Sequence, residues 1–565
     1  MARDSSSVVE QNRLLTQLLS LSLANSKLSK EDLLVQVSDQ VPAGRGLVFT
    51  RRIESEQAVL TLPFDTLINI KSYKSFLHPD TLPSAVDIAG SDHKSKSKRR
   101  LSSAQLLSLL LARAQLELAL GRTRTSAETT SKHEALQLFI RTLPERFDTV
   151  PLTWFLLARR LAHDEELEAA ATWKQRFFQS LLQALPPHSQ HLERKVRQRF
   201  ERDWLCLCTL RDSNCDLLAE PVLLASNPDL ARALVRAIDV DTFLWAWLCV
   251  NTRCVFLPLC LADHADNFTL APMLDMANHT SDPSFECKVR YAADGGLEMY
   301  APSGSDAETC VAVPGDECFI TYGPHSNENL LSEYGFVLPA QLEFGRDQAA
   351  DDELTWRGSR YVDVLMDEQV ESLFKAQGAD GEAKIELLQN RGYWGEFTAH
   401  PYPEPAHPSH RLIPALRLAA LDLGSSSPSK TASKIAKVKA QPGVKAGKKV
   451  PFRAQDGISD LEKWEETLAG YRDTVSPENE QQARDILIDL CTARRKETDT
   501  ARRHLAAAQG ILESHRSDAQ TSNGIRSEPD YDGCKLSLAF VQQLIEEEEA
   551  VLRLVSQAAR DQAEW

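Results

Sequence analysis

The chain has 565 residues, a formal net charge of −16 and a charged fraction of 25%. This length allows two or more domains with sizeable cores, and the composition is typical of a globular protein. The negative charge argues against non-specific nucleic-acid binding by the folded core and favours a basic protein partner. No apolar run has bilayer length and the first residues lack a secretory layout, so no membrane association is expected.

The eleven cysteines are scattered and odd in number, which indicates a reducing compartment rather than a disulfide framework. Cys206, Cys208 and Cys215 have a spacing that is also seen at metal sites. A closed zinc site needs four ligands, and no nearby Cys or His pair completes one. We therefore interpret these residues as a buried or partly buried thiol cluster and predict no metal site.

The chain opens with a predicted helix over residues 8–36, where leucines recur at three- and four-residue spacings. A glycine-punctuated turn follows at Gly44-Arg45-Gly46. Short strands are predicted at 47–49 and 58–62, and the polar turn between them indicates a β-hairpin. The basic stretch up to Arg100 is interpreted as an exposed loop, with a nuclear import signal as the alternative.

Residues 102–247 are predicted to be mainly helical because their apolar residues recur with a period near 3.6. Short strands are expected near Val255 and over 285–300 and 310–322. The C-terminal part is predicted to contain four helical segments, at 364–390, 458–473, 478–515 and 535–563. A proline-rich extended segment spans 400–408, and the Lys/Ser-rich stretch 425–453 is predicted to be disordered.

Polar residues follow an apolar run at Asp275-Met276-Ala277-Asn278-His279. Asn and His carry donors and acceptors that need partners when they are partly buried, and a bound polar ligand could supply them. An ordinary helix cap is the simpler explanation for the Asn-His pair alone. Arg253 is a candidate for holding an anionic group, and its alternative role is a surface salt bridge.

The segment 313–337 contains a turn, a short strand and a helix-like run, and two of its tyrosines precede glycine. Tyr322 ends the strand, and Tyr334-Gly335-Phe336 closes the helix. Each tyrosine alone is explained as a core aromatic with a satisfied hydroxyl. The GxSxG elbow and the Walker phosphate loop are absent, and no GxGxxG follows a strand to open a helix.

In combination these segments resemble one family. GRGL at 44–47, a W-A-x(n)-R segment ending at Arg253, D-x-x-N-H at 275–279 and the pattern G-[DE]-x-x-F-I-[ST]-Y-G-P-x-S-N-x-x-L-L-x-x-Y-G-F are similar to SET-domain protein methyltransferases. Within that family, the chain resembles the branch of Rubisco large-subunit and ribosomal-protein lysine methyltransferases. The long helical insertion and the helical C-terminal half also fit that branch.

The resemblance implies an α+β fold: a knotted, β-rich SET domain over 1–340 with a helical insertion at about 75–240. A helical substrate-binding domain would follow over 341–565, interrupted by the Lys/Ser-rich insertion at about 424–453. In the implied knot, the Asn-His and Tyr-Gly segments thread past each other, which is rare in proteins.

The resemblance also implies function: S-adenosylmethionine would be the methyl donor. Its implied binding residues are Gly44, Arg45, Gly46, Arg253, Asp275, Asn278, His279 and Tyr322. Tyr322 would be the catalytic tyrosine, and Tyr334 and Phe336 would bind the acceptor lysine.

The acceptor is expected to be a lysine of a ribosomal protein, and the enzyme a cytoplasmic or nuclear monomer. A histone or another protein remains an alternative lysine substrate. A catalytically silent, partner-binding SET protein is a second alternative. A histidine methyltransferase is a third, although that branch departs from tyrosine at the position of Tyr334. The substrate protein, the degree of methylation and the role of the Lys-rich stretches 93–100 and 430–449 stay open.

Overall fold

The structure, a computed structural model, describes residues 5–22, 33–83, 101–121, 130–160, 170–263, 266–306, 308–339, 356, 358–423, 459–515 and 531–565. Its longer helices are α1 (Ser5–Ser22), α2 (Ser103–Ala119), α3 (Ser131–Thr142), α4 (Pro151–Arg160), α5 (Ala170–Ala184), α6 (Pro187–Asn214), α7 (Pro221–Ser226), α8 (Pro228–Arg236), α9 (Val240–Arg253), α10 (Asn327–Tyr334), α11 (Asp367–Ala376), α12 (Ala379–Arg391), α13 (Leu412–Ala419), α14 (Asp460–Leu468), α15 (Pro477–Ser514) and α16 (Tyr531–Arg560).

The strands are short and lie in several small sheets. They are β1 (Val35–Ser38), β2 (Gly46–Phe49), β3 (Ile53–Glu54), β4 (Ala58–Leu62), β5 (Cys254–Phe256), β6 (Phe268–Leu270), β7 (Asn278–His279), β8 (Lys288–Tyr291), β9 (Leu297–Tyr300), β10 (Cys310–Ala312), β11 (Glu317–Ile320), β12 (Val364–Leu365), β13 (Thr398–His400) and β14 (His407–Pro408). The combination of small sheets with many helices confirms the predicted α+β class.

One four-stranded sheet, in the order β1-β2-β11-β7, brings distant parts of the chain together. Strand β11 pairs antiparallel with β2, where Cys318 lies opposite Leu47. On its other side β11 runs parallel to β7, with Phe319 opposite Asn278 and Ile320 opposite His279. The start of β2, the Asn-His pair and the end of β11 are therefore neighbours, although the sequence separates them by up to about 270 residues.

The predicted helix over 8–36 is wrong at its C-terminal end. Helix α1 ends at Ser22, and Val35–Ser38 form strand β1. Val35 and Val37 are buried while Gln36 and Ser38 are half-exposed. This alternation has the period of two that suits a strand with one face on the core.

The predicted β-hairpin is also wrong, although both of its strands exist. Strand β2 pairs with β1 and β11, whereas β4 pairs with β9. The residues between them do not form a simple turn, because Ile53–Glu54 pair with β10. Both strands are therefore predicted correctly, but β2 pairs with the preceding strand β1 and the distant β11, and β4 pairs with β9, about 240 residues away.

The prediction that residues 102–247 are mainly helical is confirmed by α2–α9. Helix α2 begins with a capping box, in which the Ser102 hydroxyl accepts from the Gln105 N–H and the Gln105 side chain accepts from the Ser102 N–H. The buried leucines of α2 join the same core as the SET-like strands. The insertion is thus fixed to the sheet by a shared apolar core.

The C-terminal helices and the predicted strands near 255, 285–300 and 310–322 are confirmed, with one interruption. The predicted helix over 364–390 divides into β12, α11 and α12. A separate core forms around Trp464, Leu487 and Val551. The predicted disordered stretch 425–453 and most of the basic loop before Arg100 lie outside the described residues. No described helix is long and apolar enough to cross a membrane.

A third apolar cluster joins the helical insertion to the C-terminal helices. Trp154 of α4 and Phe177 of α5 are fully buried in it. They share the cluster with residues of α15 and α16, including Leu512 and Val541. The insertion therefore contacts both the strand-rich core and the C-terminal helices.

Strand β1 forms one edge of the four-stranded sheet, and a side chain of α1 covers part of this edge. The Asn12 amide donates to the Val37 carbonyl at 2.9 Å, and its oxygen accepts from the Val37 N–H at 2.8 Å. Both bonds are buried, so Asn12 replaces the strand that an unpaired sheet edge would otherwise seek.

We predict that Asn12→Ala exposes the outer edge of β1. The Val37 N–H loses its only acceptor on that side, so hydrogen exchange in a peptide covering 35–38 should accelerate. Hydrogen-exchange mass spectrometry measures this, with Gln17→Ala, on the exposed face of α1, as the matched control. Unchanged protection in Asn12→Ala would show that Asn12 does not hold this edge.

Candidate active site

The GxG turn and the Asn-His pair meet in one polar cradle. The Asn278 amide nitrogen donates to the Arg45 carbonyl at 2.9 Å and to Glu317 Oε1 at 2.7 Å. A Cβ on Gly46 would lie 2.6 Å from that nitrogen and 2.7 Å from the same carboxylate oxygen. Only glycine therefore lets β2 approach Asn278 so closely.

Arg253 and Asp275 form a buried pair beside this cradle. Arg253 Nη1 donates to the Asp275 carbonyl at 2.9 Å and to its Oδ2 at 3.1 Å. Burial raises the pKa of the Asp275 carboxyl, and the Arg253 guanidinium opposes that shift. Arg253 Nε and Asp275 Oδ1 have no hydrogen-bond partner among the described residues, so one donor and one acceptor are left over.

His279 lies between the cradle and Tyr322. Its Nδ1 accepts a hydrogen bond from the Tyr322 N–H at 3.1 Å, which places the ring proton on Nε2. Nε2 is buried without a partner within the described part of the chain. Burial lowers the pKa of His279 to about 4, so the imidazole is neutral near pH 7.

Tyr322 is held at both ends. Its hydroxyl donates to the Ala277 carbonyl at 2.8 Å, and its ring stacks on His279 with centroids 5.2 Å apart. Burial raises the pKa of the Tyr322 phenol, so it stays protonated at neutral pH. This tyrosine is therefore a fixed, neutral hydroxyl at the end of β11.

The second Tyr-Gly brings two more aromatic rings to Tyr322. The Tyr334 ring lies 5.1 Å from the Tyr322 ring, and Phe336 meets it edge-on at 6.1 Å. Gly335 ends α10 in the left-handed conformation with φ +81°, and a Cβ there would lie 2.7 Å from Val150. Because the chain reverses direction at Gly335, the side chains of Tyr334 and Phe336 both contact the ring of Tyr322.

A cavity of about 810 Å³ opens beside Tyr334, between α2, α6, α9 and α10. Its wall includes Glu333, which pairs with Arg199 at 2.5 Å and accepts from Asn251 Nδ2 at 3.1 Å. Acidic side chains at Asp203, Asp263 and Asp266 also line it. The volume lies in the range of ligand-binding clefts.

The structure thus brings the sequence-predicted residues into one region: Gly44 to Gly46 and Asn278 form the cradle, Arg253 and Asp275 adjoin it, and His279, Tyr322, Tyr334 and Phe336 form the aromatic part. Sequence reasoning missed Glu317, the Ala277 carbonyl and the cavity residues of the helical insertion. Glu317 occupies a strand position that no motif marks. The half-buried thiols of Cys206, Cys208 and Cys215 lie away from this region, on α6 and the turn after it.

Parts of the sequence are similar to proteins named as ribosomal lysine methyltransferases or as a SET domain-containing protein. It is 26% identical over 162 residues to "Ribosomal lysine N-methyltransferase set11" of Schizosaccharomyces pombe, covering 29% of this chain and 33% of that protein. It is 31% identical over 200 residues to "SET domain-containing protein 4" of Mus musculus, covering 35% of this chain and 39% of that protein. It is 27% identical over 244 residues to "Ribosomal lysine N-methyltransferase 2" of Saccharomyces cerevisiae, covering 39% of this chain and 43% of that protein.

The chain thus spans about a third to two fifths of the length of these relatives. No protein-family model matches it. Two solved structures align with 97% of the chain: the SET domain of LSMT bound to lysine and AdoHcy (TM-score 0.45, 17% identity) and Rubisco LSMT bound to sinefungin and monomethyllysine (0.46, 16%). The two alignments cover 91% and 92% of the respective solved chains. These partial matches confirm the resemblance to SET-domain lysine methyltransferases that the motifs indicate.

We predict that the His279 imidazole remains neutral down to about pH 4, well below the ordinary value of 6.5. Its contribution to stability is then present above pH 6.5 and is lost as the pH falls through about 4, because the unfolded chain binds the proton more readily. NMR of ring-labelled histidine measures the midpoint, and His279→Gln assigns the resonance. A midpoint near 6.5 would mean that His279 is solvated rather than buried.

Proposed function

We propose that the chain is an S-adenosylmethionine-dependent protein-lysine N-methyltransferase. The observation that carries this proposal is the position of Tyr322: a neutral hydroxyl, fixed on the Ala277 carbonyl, between a polar cradle and an aromatic cluster. The names of the relatives, which include two ribosomal lysine methyltransferases, support the same reaction.

The residues of the cradle fit the methyl donor. S-adenosylmethionine carries an ammonium, a carboxylate and a polar nucleoside, and it supplies an electrophilic methyl group on a sulfonium. Arg253 Nε and His279 Nε2 are buried donors without partners among the described residues, and Asp275 Oδ1 is such an acceptor. Buried polar groups of this kind are costly unless a ligand satisfies them. The donor would lie against the backbone of the cradle, which is formed by Gly44, Arg45, Gly46 and Asn278.

The aromatic cluster suits the acceptor. A lysine amine must be neutral to attack, and its ordinary pKa is about 10.4. A buried aromatic environment disfavours the ammonium form and lowers that pKa. Tyr334 and Phe336 would enclose the lysine stem, while the Tyr322 hydroxyl and the Ala277 carbonyl orient the reacting groups. Solvent can take the proton, so positioning makes the main contribution to the rate.

A ribosomal protein is the proposed substrate. The relatives in two yeasts are named for that target, and a chain with a net charge of −16 favours a lysine-rich partner. The presence of Tyr334 favours lysine over histidine as the acceptor. Tyr322, Asn278 and His279 are all retained and assembled, which argues against a catalytically silent protein. We propose that the enzyme acts as a monomer in the cytoplasm or nucleus.

We predict that Tyr322→Phe lowers methyl transfer on the order of 10²-fold, because the hydroxyl that fixes the reacting groups is lost. The ring stacking on His279 remains, so the fold and the thermal midpoint should change little. Transfer of labelled methyl to ribosomal protein measures the rate. Tyr291→Phe, at an exposed tyrosine of β8, is the matched control. Wild-type turnover in Tyr322→Phe would overturn the proposed role.

We also predict that Asn278→Ala weakens binding of S-adenosylmethionine about tenfold or more. The amide that ties the Arg45 carbonyl to Glu317 would be absent, so the cradle loses its shape. His279→Ala should weaken binding in the same direction. Isothermal titration calorimetry gives the dissociation constants, with Asn214→Ala on the exposed end of α6 as the control. Equal affinity in all variants would contradict the assignment of the cradle.

A further inference from the structure

A second cluster of ionisable side chains lies outside the active site, where three parts of the chain meet. His188 is at the start of α6 in the helical insertion, Glu328 is at the start of α10, and Asp363 directly precedes β12. One potential ligand atom from each of the three residues lies within 4.8 Å of the other two. The described residues contain no other such group of His, Cys and carboxylate ligands.

The polar atoms of this cluster converge without satisfying one another. His188 Nδ1 lies 2.7 Å from Glu328 Oε2, yet neither atom has a hydrogen bond with acceptable geometry among the described residues. Glu328 is only 9% exposed. Its other oxygen already accepts from the Ser189 hydroxyl at 3.2 Å. A buried carboxylate oxygen therefore faces the cluster with the His188 imidazole beside it and no well-aligned hydrogen bond within the described residues.

The charges of the surroundings also favour a cation. The nearest buried guanidinium, Arg494, is bonded to other carboxylates, at 2.6 Å from Glu497 and 3.0 Å from Glu548. Two carboxylates and one imidazole thus face each other, and among the described residues no lysine or arginine forms an ion pair with Asp363 or Glu328.

We propose that His188, Glu328 and Asp363 bind a divalent metal ion of the Zn²⁺ class. One imidazole nitrogen and two carboxylate oxygens are ligands that Zn²⁺ accepts, and a water would complete a four-coordinate site. Ca²⁺ and Mg²⁺ are disfavoured because they require more oxygen ligands than the cluster offers.

The proposed site would link substrate binding to the C-terminal region. Tyr334, which is proposed to enclose the acceptor lysine, is the last residue of α10, and Glu328 lies in the first turn of the same helix. A metal at the start of α10 would hold that helix against α6 and the segment before β12. The ion would therefore have a structural role, stabilising the position of α10.

The test uses the purified full-length chain after removal of metals with a chelator. Titration calorimetry with ZnCl₂ and titration with Co²⁺, followed by visible absorption, report the number of sites and their ligands. We expect one nitrogen- and oxygen-ligated equivalent in the wild type. Asp363→Asn and His188→Gln should lose it or bind at least about tenfold more weakly. Circular dichroism checks that the variants are folded.

A matched control is available in the same core. His133 Nε2 lies 3.3 Å from Glu117 Oε2, and this pair is also buried, but no third ligand joins it within the described residues. His133→Gln should bind metal like the wild type. The proposal is overturned if the wild type binds no such equivalent, which would leave a protonated His188 paired with Glu328. It is equally overturned if cobalt shows sulfur charge-transfer bands only, or if His133→Gln loses the same site.

Discussion

The parallel pairing of β7 with β11 is the constraint on which the candidate active site depends. Phe319 lies opposite Asn278 and Ile320 opposite His279, so the two motifs are fixed in register by backbone hydrogen bonds. Continuing that register places the Tyr322 N–H on His279 Nδ1 and the Tyr322 hydroxyl on the Ala277 carbonyl. Because β11 also pairs with β2, the same strand brings Gly46 against Asn278. One strand thus assembles three separate segments.

The polarity of the region is as informative as its geometry. Folded proteins satisfy nearly all buried polar groups, yet Arg253, Asp275 and His279 each retain an unpartnered atom within the described structure. His279 also adjoins the aromatic cluster, because its ring centroid lies 6.3 Å from that of Phe336. A polar region and an apolar one therefore adjoin at His279 and Tyr322, which suits the proposed transfer from a charged donor to an uncharged amine.

The sequence predicted which residues come together better than it predicted the strand pairing around them. Tyr322, Tyr334 and Asn278 stand out in the sequence because each belongs to a motif whose residue types are constrained locally, and the structure places them in one region. The helical spacing of the leucines continues almost to Val35–Ser38 and therefore predicts a helix there. Buried and half-exposed side chains instead alternate along this segment with a period of two, which is typical of a strand. The β2–β4 hairpin is wrong because β2 pairs with β1 and β11 while β4 pairs with β9, about 240 residues away, and local patterns do not encode such a choice of partner. Glu317 was missed because its role depends on Asn278 from another segment.

The central claim is that this site transfers a methyl group to a lysine of a protein. The most direct measurement incubates the purified chain with tritiated S-adenosylmethionine and a methyl-deficient extract of its own organism, isolates the labelled protein and hydrolyses it to amino acids. We expect the label to be recovered in methylated lysine of a ribosomal protein. Label in methylated histidine would contradict the assignment of the acceptor, and the absence of any enzyme-dependent label would contradict methyl transfer itself.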